Sequence, residues 1–447
     1  MTALPLLVNE TINESPQPPL STYAYSYPHK SSYRALRPAV RNAAAWRDED
    51  VSQLSLYAHI PFCEMRCGFC NLFTQSQPAA EVIGSYLQVL QRQMRIVRKD
   101  VPLAKFSQFA IGGGTPTLLS AAELENLLTG VETTFELKLQ QLPTSIETSP
   151  ATATRDRLRV LADFGVQRIS IGVQSFDEQD CRRMGRPQQI AAVHEALTAL
   201  REQRFPVLNI DLIYGALEQT RASWLASLQA ALKYKPEELY LYPLYVRPET
   251  GLARAGHAAV QHRRDLYALG RDLLRSEGYV QTSLRCFRLP GNTSPSTYAC
   301  QRDGMVGLGC GARSYTKRLH YGSQFAVTQA GVRSILRDWI EQSDNDLAHA
   351  THGIELSPDE QRRRFLIMSL LQADGFPVTE YRDLFQTSPW EDLPELEQLE
   401  ERGWLHFSNR NGNAQLKLTA AGLEYSDEVA PLLYSPAVRE RLRECTQ

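Results

Sequence analysis

The sequence is short of net charge, of long hydrophobic runs and of clustered cysteine, and each shortage removes a class of function. Its 48 Lys and Arg stand against 50 Asp and Glu, a formal charge of −2, so no global field draws the chain to nucleic acid or to an anionic membrane surface. No apolar run approaches the length of a membrane span, and the opening MTALPLLVNETINESPQPPL lacks a basic segment followed by a long apolar one. A cytoplasmic protein with no membrane partner is therefore expected. Eight cysteines in 447 residues are too few for a disulfide scaffold. Five of them, Cys181, Cys286, Cys300, Cys310 and Cys445, lie scattered along the chain.

The remaining three are concentrated in CEMRCGFC, where Cys63, Cys67 and Cys70 follow a C-x3-C-x2-C spacing. A structural zinc site normally closes with four protein ligands in short paired spacings, and the sequence offers no second C-x2-C or H-x3-H partner. His59 belongs to the strand ahead of the loop and is expected to point inward. Three thiolates can instead hold three corners of a 4Fe-4S cube and leave one iron open to a small-molecule ligand.

The surrounding pattern implies parallel β/α units. Short runs rich in β-branched and aromatic residues, LSLYAHI (54–60), FSQFAIG (106–112), TSIET (144–148), RISIGV (168–173), VLNIDLIYG (207–215) and ELYLYPLYV (238–246), alternate with longer amphipathic stretches. Such a series of six units predicts right-handed crossovers and an α/β fold, a barrel or an open, barrel-like arc whose reactive groups gather at the C-terminal strand ends. The expected organisation is a leader over 1–22, an arm over 23–53, the barrel with a following glycine-rich segment over 54–317, and a connector over 318–356. Residues 357–447, with the hairpin GWLHFSNRNGNAQLKLT, read as a C-terminal winged-helix-like α+β domain. The acidic run SPWEDLPELEQLEE argues against its binding nucleic acid.

CEMRCGFC together with the later GGGTP resembles the radical S-adenosylmethionine (SAM) superfamily. The ordered set YAHIPFCEMRCGFC, IGGGTPT, IETSP, ISIGVQSF, MGRPQ and NIDLIYG resembles its oxygen-independent coproporphyrinogen III oxidase-like branch. That resemblance implies a partial radical SAM barrel and a 4Fe-4S cluster on Cys63, Cys67 and Cys70. It also implies one or two SAM molecules, a small-molecule substrate and an electron donor such as flavodoxin or ferredoxin. Gly112, Gly113 and Gly114 let backbone approach a ligand, and Thr115 and Pro116 fix the loop's exit; an ordinary β-α turn is the bland alternative. By the resemblance Glu147 binds SAM, and Gln174 and Arg186 contact adenosyl ligands, with a surface ion pair as the alternative for Arg186. Asp211 is expected to accept from a ribose or other donor, and Tyr57 and Phe69 to form apolar or stacking walls or simply to fill core.

The sequence also departs from that branch. Leu72 stands where the oxidases carry a fourth cysteine, and STYACQRDG lacks the histidine of the related haem chaperones. YSYPHKSSYRAL, FCEMRCGFCNLF and QTSLRCFR look like the members that include class C radical SAM methyltransferases and cyclopropane-forming enzymes. The resemblance thus implies methyl or methylene transfer from a second SAM to an sp2 carbon of an aromatic or carrier-bound substrate. A porphyrin-modifying enzyme and a haem-binding chaperone without turnover are the alternatives. Cys286, Cys300, Cys310 and Tyr315 are candidate relays, against simple burial.

Overall fold

The computed structural model describes residues 25–257, 263–291, 302–410 and 413–445. Its main sheet contains, among the described residues, β1 (Arg34–Arg41), β2 (Leu54–Ile60), β3 (Phe106–Gly113), β4 (Thr144–Thr148), β5 (Arg168–Gln174), β6 (Val207–Tyr214), β7 (Glu238–Pro243), β8 (Val280–Gln281), β9 (Cys286–Arg288), β10 (Met305–Leu308), β11 (Arg313–Tyr315), β12 (Leu319–Gly322) and β13 (His349–Glu355). They lie in the order β1-β13-β12-β11-β10-β2-β3-β4-β5-β6-β7-β9-β8. β2 through β7 pair parallel in sequence order, and β10 adds a further parallel strand beside β2. Adjacent parallel strands joined by helices produce the expected (β/α)6 arc.

Side-chain alternation divides this sheet into two chemically opposite faces. Leu54, Leu56, Ala58 and Ile60 of β2, Ile169, Ile171 and Val173 of β5, and Leu208, Ile210 and Leu212 of β6 belong to one continuous apolar core. The helices Ala80–Asp100, Ala121–Phe135, Ile190–Gln203 and Arg221–Leu232 contribute Leu90, Leu128, Leu197 and Leu228 to it. Fully burying such a side chain stabilises the fold by roughly 1.5–3 kcal/mol. The alternate positions, Tyr57, His59, Glu147, Ser170, Asn209, Asp211 and Glu238, form a polar inner face. Its purpose is not core packing, since apolar residues would do that better.

Two segments outside the expected barrel also contribute strands. The arm read over 23–53 carries β1, and the connector read over 318–356 carries β12 and β13, which join the barrel sheet. β1 pairs antiparallel with β13 across some three hundred residues of chain, as in Arg34↔Gly353. Antiparallel neighbours so distant leave no local signature, which is why the sequence reads them as separate segments. Strands β6 and β7 also stop at Tyr214 and Pro243, short of the expected 215 and 246.

The C-terminal region is built as expected around the helices Pro358–Leu370, Val378–Phe385 and Leu396–Glu401 and a small antiparallel sheet. In that sheet Asn413–Leu418 lies between Phe376–Pro377 and Leu405–Arg410. Its core takes in Tyr27 and Tyr33 from the arm. Tyr27 is completely buried; its hydroxyl donates to Glu360 Oε2 at 2.5 Å and accepts from the Ser435 amide at 3.2 Å. Asp427 and Glu428 pair with Arg285 and Arg264 of the barrel, each at 2.6 Å. No helix among the described residues is long and apolar enough to cross a membrane.

Candidate active site

The cysteine loop leaves β2 and is fastened by backbone bonds to the elements that carry the other motifs. Phe62–Cys63 pairs with Gln75–Ser76, so the loop closes on itself, and Arg66 clamps it by donating to the carbonyls of Thr74 at 3.1 Å and Cys70 at 3.2 Å. Gly68 touches the Met184–Gly185 turn so closely that a Cβ there would lie 2.8 Å from the Met184 carbonyl oxygen, and its amide donates to the Gly185 carbonyl at 3.1 Å. The glycine loop after β3 meets the same segment: Gly114 donates to Ile60 at 2.8 Å and Thr115 to Phe62 at 2.7 Å. Glu64 completes the junction by accepting from Ser149 Oγ at 2.8 Å, which ties CEMRC to IETSP.

Each thiol has a polar hydrogen-bonding neighbour. Arg186 Nη1 donates to Cys67 Sγ at 3.0 Å, Thr115 Oγ1 donates to Cys63 Sγ at 3.6 Å, and Cys70 Sγ lies 3.8 Å from Thr74 Oγ1. Donors around sulfur stabilise thiolates and tune a cluster held by them. Among the described residues no three His, Cys, Asp or Glu side chains converge tightly enough for a single metal ion. Burial pushes the Cys63 thiol up to about 12, so cationic iron is what would make it a ligand.

Gly113 adopts φ +115°, and a Cβ there would sit 2.5 Å from His59 Cε1. Only glycine suits both the conformation and the space. Its amide donates to Glu147 Oε2 at 3.0 Å. Glu147 is solvent-accessible although its strand lies mid-sheet, so it faces an open interior. Desolvation inside the arc and repulsion from Asp211 raise its carboxyl to about 7, against the opposing pull of the Gly113 amide and Arg168. Asp211 accepts from Asn209 Nδ2 at 2.7 Å and Ser170 Oγ at 3.2 Å, and burial raises it to about 6. Two neighbouring carboxyls of moderate acidity can thus accept hydrogen bonds or hold a proton near neutrality.

Arg186 is no surface ion pair: it is 9 % exposed and spends its other donors on the Gly172 carbonyl at 2.9 Å and Gln188 Oε1 at 3.3 Å. Its guanidinium links the cysteine loop to the end of β5. Gln174 caps that strand with φ +69° at a register shift between Gly172 and Gln174, a conformation a residue with a side chain rarely adopts. The Tyr57 hydroxyl and His59 Nδ1 are 3.0 Å apart; burial holds His59 down to about 4, while its Nε2 meets the Phe73 carbonyl. Phe69 packs on the small cluster of Met184, Ile213, Ala216, Leu244 and Leu252, so it braces the loop as an apolar wall. Cys286, Cys310 and Tyr315 are buried at 1 %, 0 % and 3 % exposure, and Cys300 lies outside the described residues.

Several contributors carry no sequence signal. Thr74 and Ser149 are common residue types in unremarkable contexts. The pair Arg168–Glu238 at 2.7 Å, joined by Arg288 at 3.0 Å, closes the inner face near the N-terminal strand ends and depends on three strands meeting.

With that geometry in place, comparison with known proteins decides the family. The description "Radical SAM superfamily" matches residues 57–231, and "HemN C-terminal domain" matches residues 356–424. The heme chaperone HemW of Escherichia coli is 31 % identical over 274 residues, covering 58 % of this chain and 69 % of that protein. The chain belongs to the radical SAM superfamily, in its HemN/HemW-like family. The Synechocystis heme chaperone HemW is 28 % identical over 363 residues, covering 78 % of this chain and 86 % of the relative. The structure of E. coli coproporphyrinogen III oxidase (HemN), described as a radical SAM enzyme, superposes with a TM-score of 0.76 at 23 % identity, over 92 % of this chain and 96 % of that one. The fold is therefore shared. The expected resemblance to class C methyltransferases is not supported by these relatives, which bear haem-related names. A 4Fe-4S cluster and SAM follow from the family.

Proposed function

We propose that the protein is a radical SAM enzyme acting on a porphyrin-type small molecule. In it Cys63, Cys67 and Cys70 hold the cluster, and Gly113, Gly114, Thr115, Glu147, Gln174, Arg186 and Asp211 surround the cosubstrate. The observation that carries this is the junction at Arg186, which joins the Cys67 thiol to β5 beside the Gly113–Glu147 contact. When bound, the cluster and SAM supply reductive cleavage to a 5′-deoxyadenosyl radical that abstracts hydrogen, with electrons from a donor such as flavodoxin or ferredoxin. The chain's own residues bind and orient. Glu147 and Asp211 accept donors of the cosubstrate, Gly113 allows close approach, and Tyr57 provides a ring facing the interior. The haem-related names of the relatives support the substrate class, and they support a porphyrin-modifying reading or a haem carrier better than methyl transfer.

Methyl or methylene transfer to an sp2 carbon from a second SAM is the second reading. It is favoured by Leu72, 48 % exposed, at the position where the oxidases carry a fourth cysteine. One anaerobic sample separates the readings. The protein is reconstituted with iron and sulfide, given reductant, methyl-deuterated SAM and coproporphyrinogen III, and assayed for iron, 5′-deoxyadenosine and S-adenosylhomocysteine. Substrate-dependent, unlabelled 5′-deoxyadenosine is expected. Deuterium in it together with S-adenosylhomocysteine moves the assignment to methyl transfer, and cluster with neither product moves it to a carrier.

A further inference from the structure

Arg186 reaches Cys67 from a segment whose course is set by glycine. The helix Glu178–Arg183 is followed by Gly185 at φ +64°, and the amides of Gly185 and Arg186 donate back to the carbonyls of Arg182 and Cys181, each at 2.9 Å. This left-handed cap turns the chain against the cysteine loop. A Cβ on Gly185 would lie 2.8 Å from the Gly68 Cα, so the close contact fixes where the Arg186 backbone stands. It does not fix where the guanidinium points, because a long arginine side chain has many rotamers to choose from.

Gln188 supplies that direction. Its Oε1 accepts from Arg186 Nε at 3.3 Å, and its Nε2 donates to the Val173 carbonyl at 2.7 Å, with the Ser175 carbonyl and Cys181 Sγ each at 3.2 Å. Only one orientation of the amide serves these partners: turned over, it would set N–H against the Arg186 N–H and oxygen against two carbonyls. The anchor lies where β5 slips register between Gly172 and Gln174. There the Gly172 carbonyl accepts from Arg186 Nη2 at 2.9 Å and the Val173 carbonyl from Gln188. A continuous chain of hydrogen bonds thus runs from the end of β5 through Gln188 and Arg186 to Cys67 Sγ at 3.0 Å. Of the three thiol neighbours described above, only Arg186 is charged.

We propose that Gln188 is a positioning residue: it aims the Arg186 guanidinium at the Cys67 sulfur and so sets the reduction potential of the cluster. The proposal rests on the assignment of Cys63, Cys67 and Cys70 as cluster ligands. A cationic donor on a ligand sulfur favours the more negative, reduced cluster. A guanidinium released by Gln188 spends less of its time on that sulfur and gives up part of the preference.

The test is a redox titration of the full-length, cluster-reconstituted protein followed by electron paramagnetic resonance, without SAM, so that cosubstrate binding does not enter. Gln188→Met should make the cluster roughly tenfold harder to reduce, a fall of about 59 mV for one electron. Arg186→Met should lower the potential at least as far, and the double variant no further than Arg186→Met, because Gln188 acts only through Arg186. Ser223→Ala is the structural control. Ser223 Oγ donates to Asp180 Oδ2 at 3.2 Å and braces the same helix from outside this chain of bonds, so its loss should lower Tm and leave the potential where it was. Gln188→Asn, one methylene short of spanning Val173 and Arg186, takes the place of Gln188→Met if that variant holds no cluster. An unchanged potential in the Gln188 variant, a further fall in the double variant, or an equal fall in Ser223→Ala overturns the proposal. If the wild type holds no cluster, the cysteine assignment falls and the proposal with it. If it holds one and Arg186→Met leaves the potential unchanged, the assignment stands and the proposal alone falls.

Discussion

Two sets of cations withdrawn from water are compensated differently in this molecule. Near the N-terminal strand ends, Arg168 and Arg288 enclose Glu238, which is 0 % exposed. That group is complete in itself: its charges compensate one another, and removing one member leaves the rest uncompensated. Lys30, Arg247 and Arg313 instead lie against phenylalanine and tyrosine rings. The first arrangement closes the arc, whereas the second leaves it chemically open. In parallel α/β folds, structure concentrates at the N-terminal strand ends and chemistry at the C-terminal ends, and the closed Arg168–Glu238–Arg288 group fits the first of these.

The largest effect is expected at the open end. Cys67→Ser should reduce cluster iron to background and abolish SAM cleavage, read by iron analysis and 5′-deoxyadenosine, with little change in the far-ultraviolet circular dichroism. If iron is retained at four per chain, the three-cysteine assignment is wrong. At the closed end, Glu238→Gln should cost about 3–5 kcal/mol in urea unfolding, because two guanidiniums lose their buried counter-charge. Lys30→Met should change stability by less than about 1 kcal/mol, since no ion pair is broken. Comparable losses in both variants would erase the distinction between the two groups.

A smaller change is expected from Glu147→Gln. It should weaken SAM binding by about tenfold in calorimetry, the scale of one charge-assisted hydrogen bond. The smallest effect is the pH dependence of stability. Glu147 and Asp211 are raised in the folded protein to about 7 and about 6, so the folded state holds protons that the unfolded chain has released. Their contribution is present below the ordinary carboxyl range and is lost as pH rises through about 6 to 7. The slope of Tm against pH in that window should flatten in Glu147→Gln/Asp211→Asn. An unchanged slope would mean that water entering the open interior screens both groups.

The parts of this site legible in sequence are those whose signal is local. C-x3-C-x2-C marks three ligands within one loop, GGGTP marks a close backbone approach, and period-two alternation in LSLYAHI and RISIGV marks strands with one apolar face. These also carried the family. The pairing of β1 in the arm with β13 in the region read as a connector is not legible in sequence, because the two strands find each other only across the folded chain. The functional expectation drawn from YSYPHKSSYRAL pointed to methyl transfer, while the named relatives are haem-related. Structure gives the same segment a different significance: Tyr27 anchors the arm in the C-terminal core, His29 packs edge-on to Tyr25, and Lys30 lies over the Phe325 ring.

By itself, the sequence determined the repeating β/α order, the three thiols and the glycine loop, because each depends on spacing along a few consecutive residues. Only the tertiary structure decided that Arg186 grips Cys67 and that Glu147, bonded by the Gly113 amide, faces an open interior with its carboxyl raised. The reason is physical. Burial, dielectric environment and charge balance belong to surfaces brought together from distant parts of the chain, and no stretch of sequence contains both sides of such a contact.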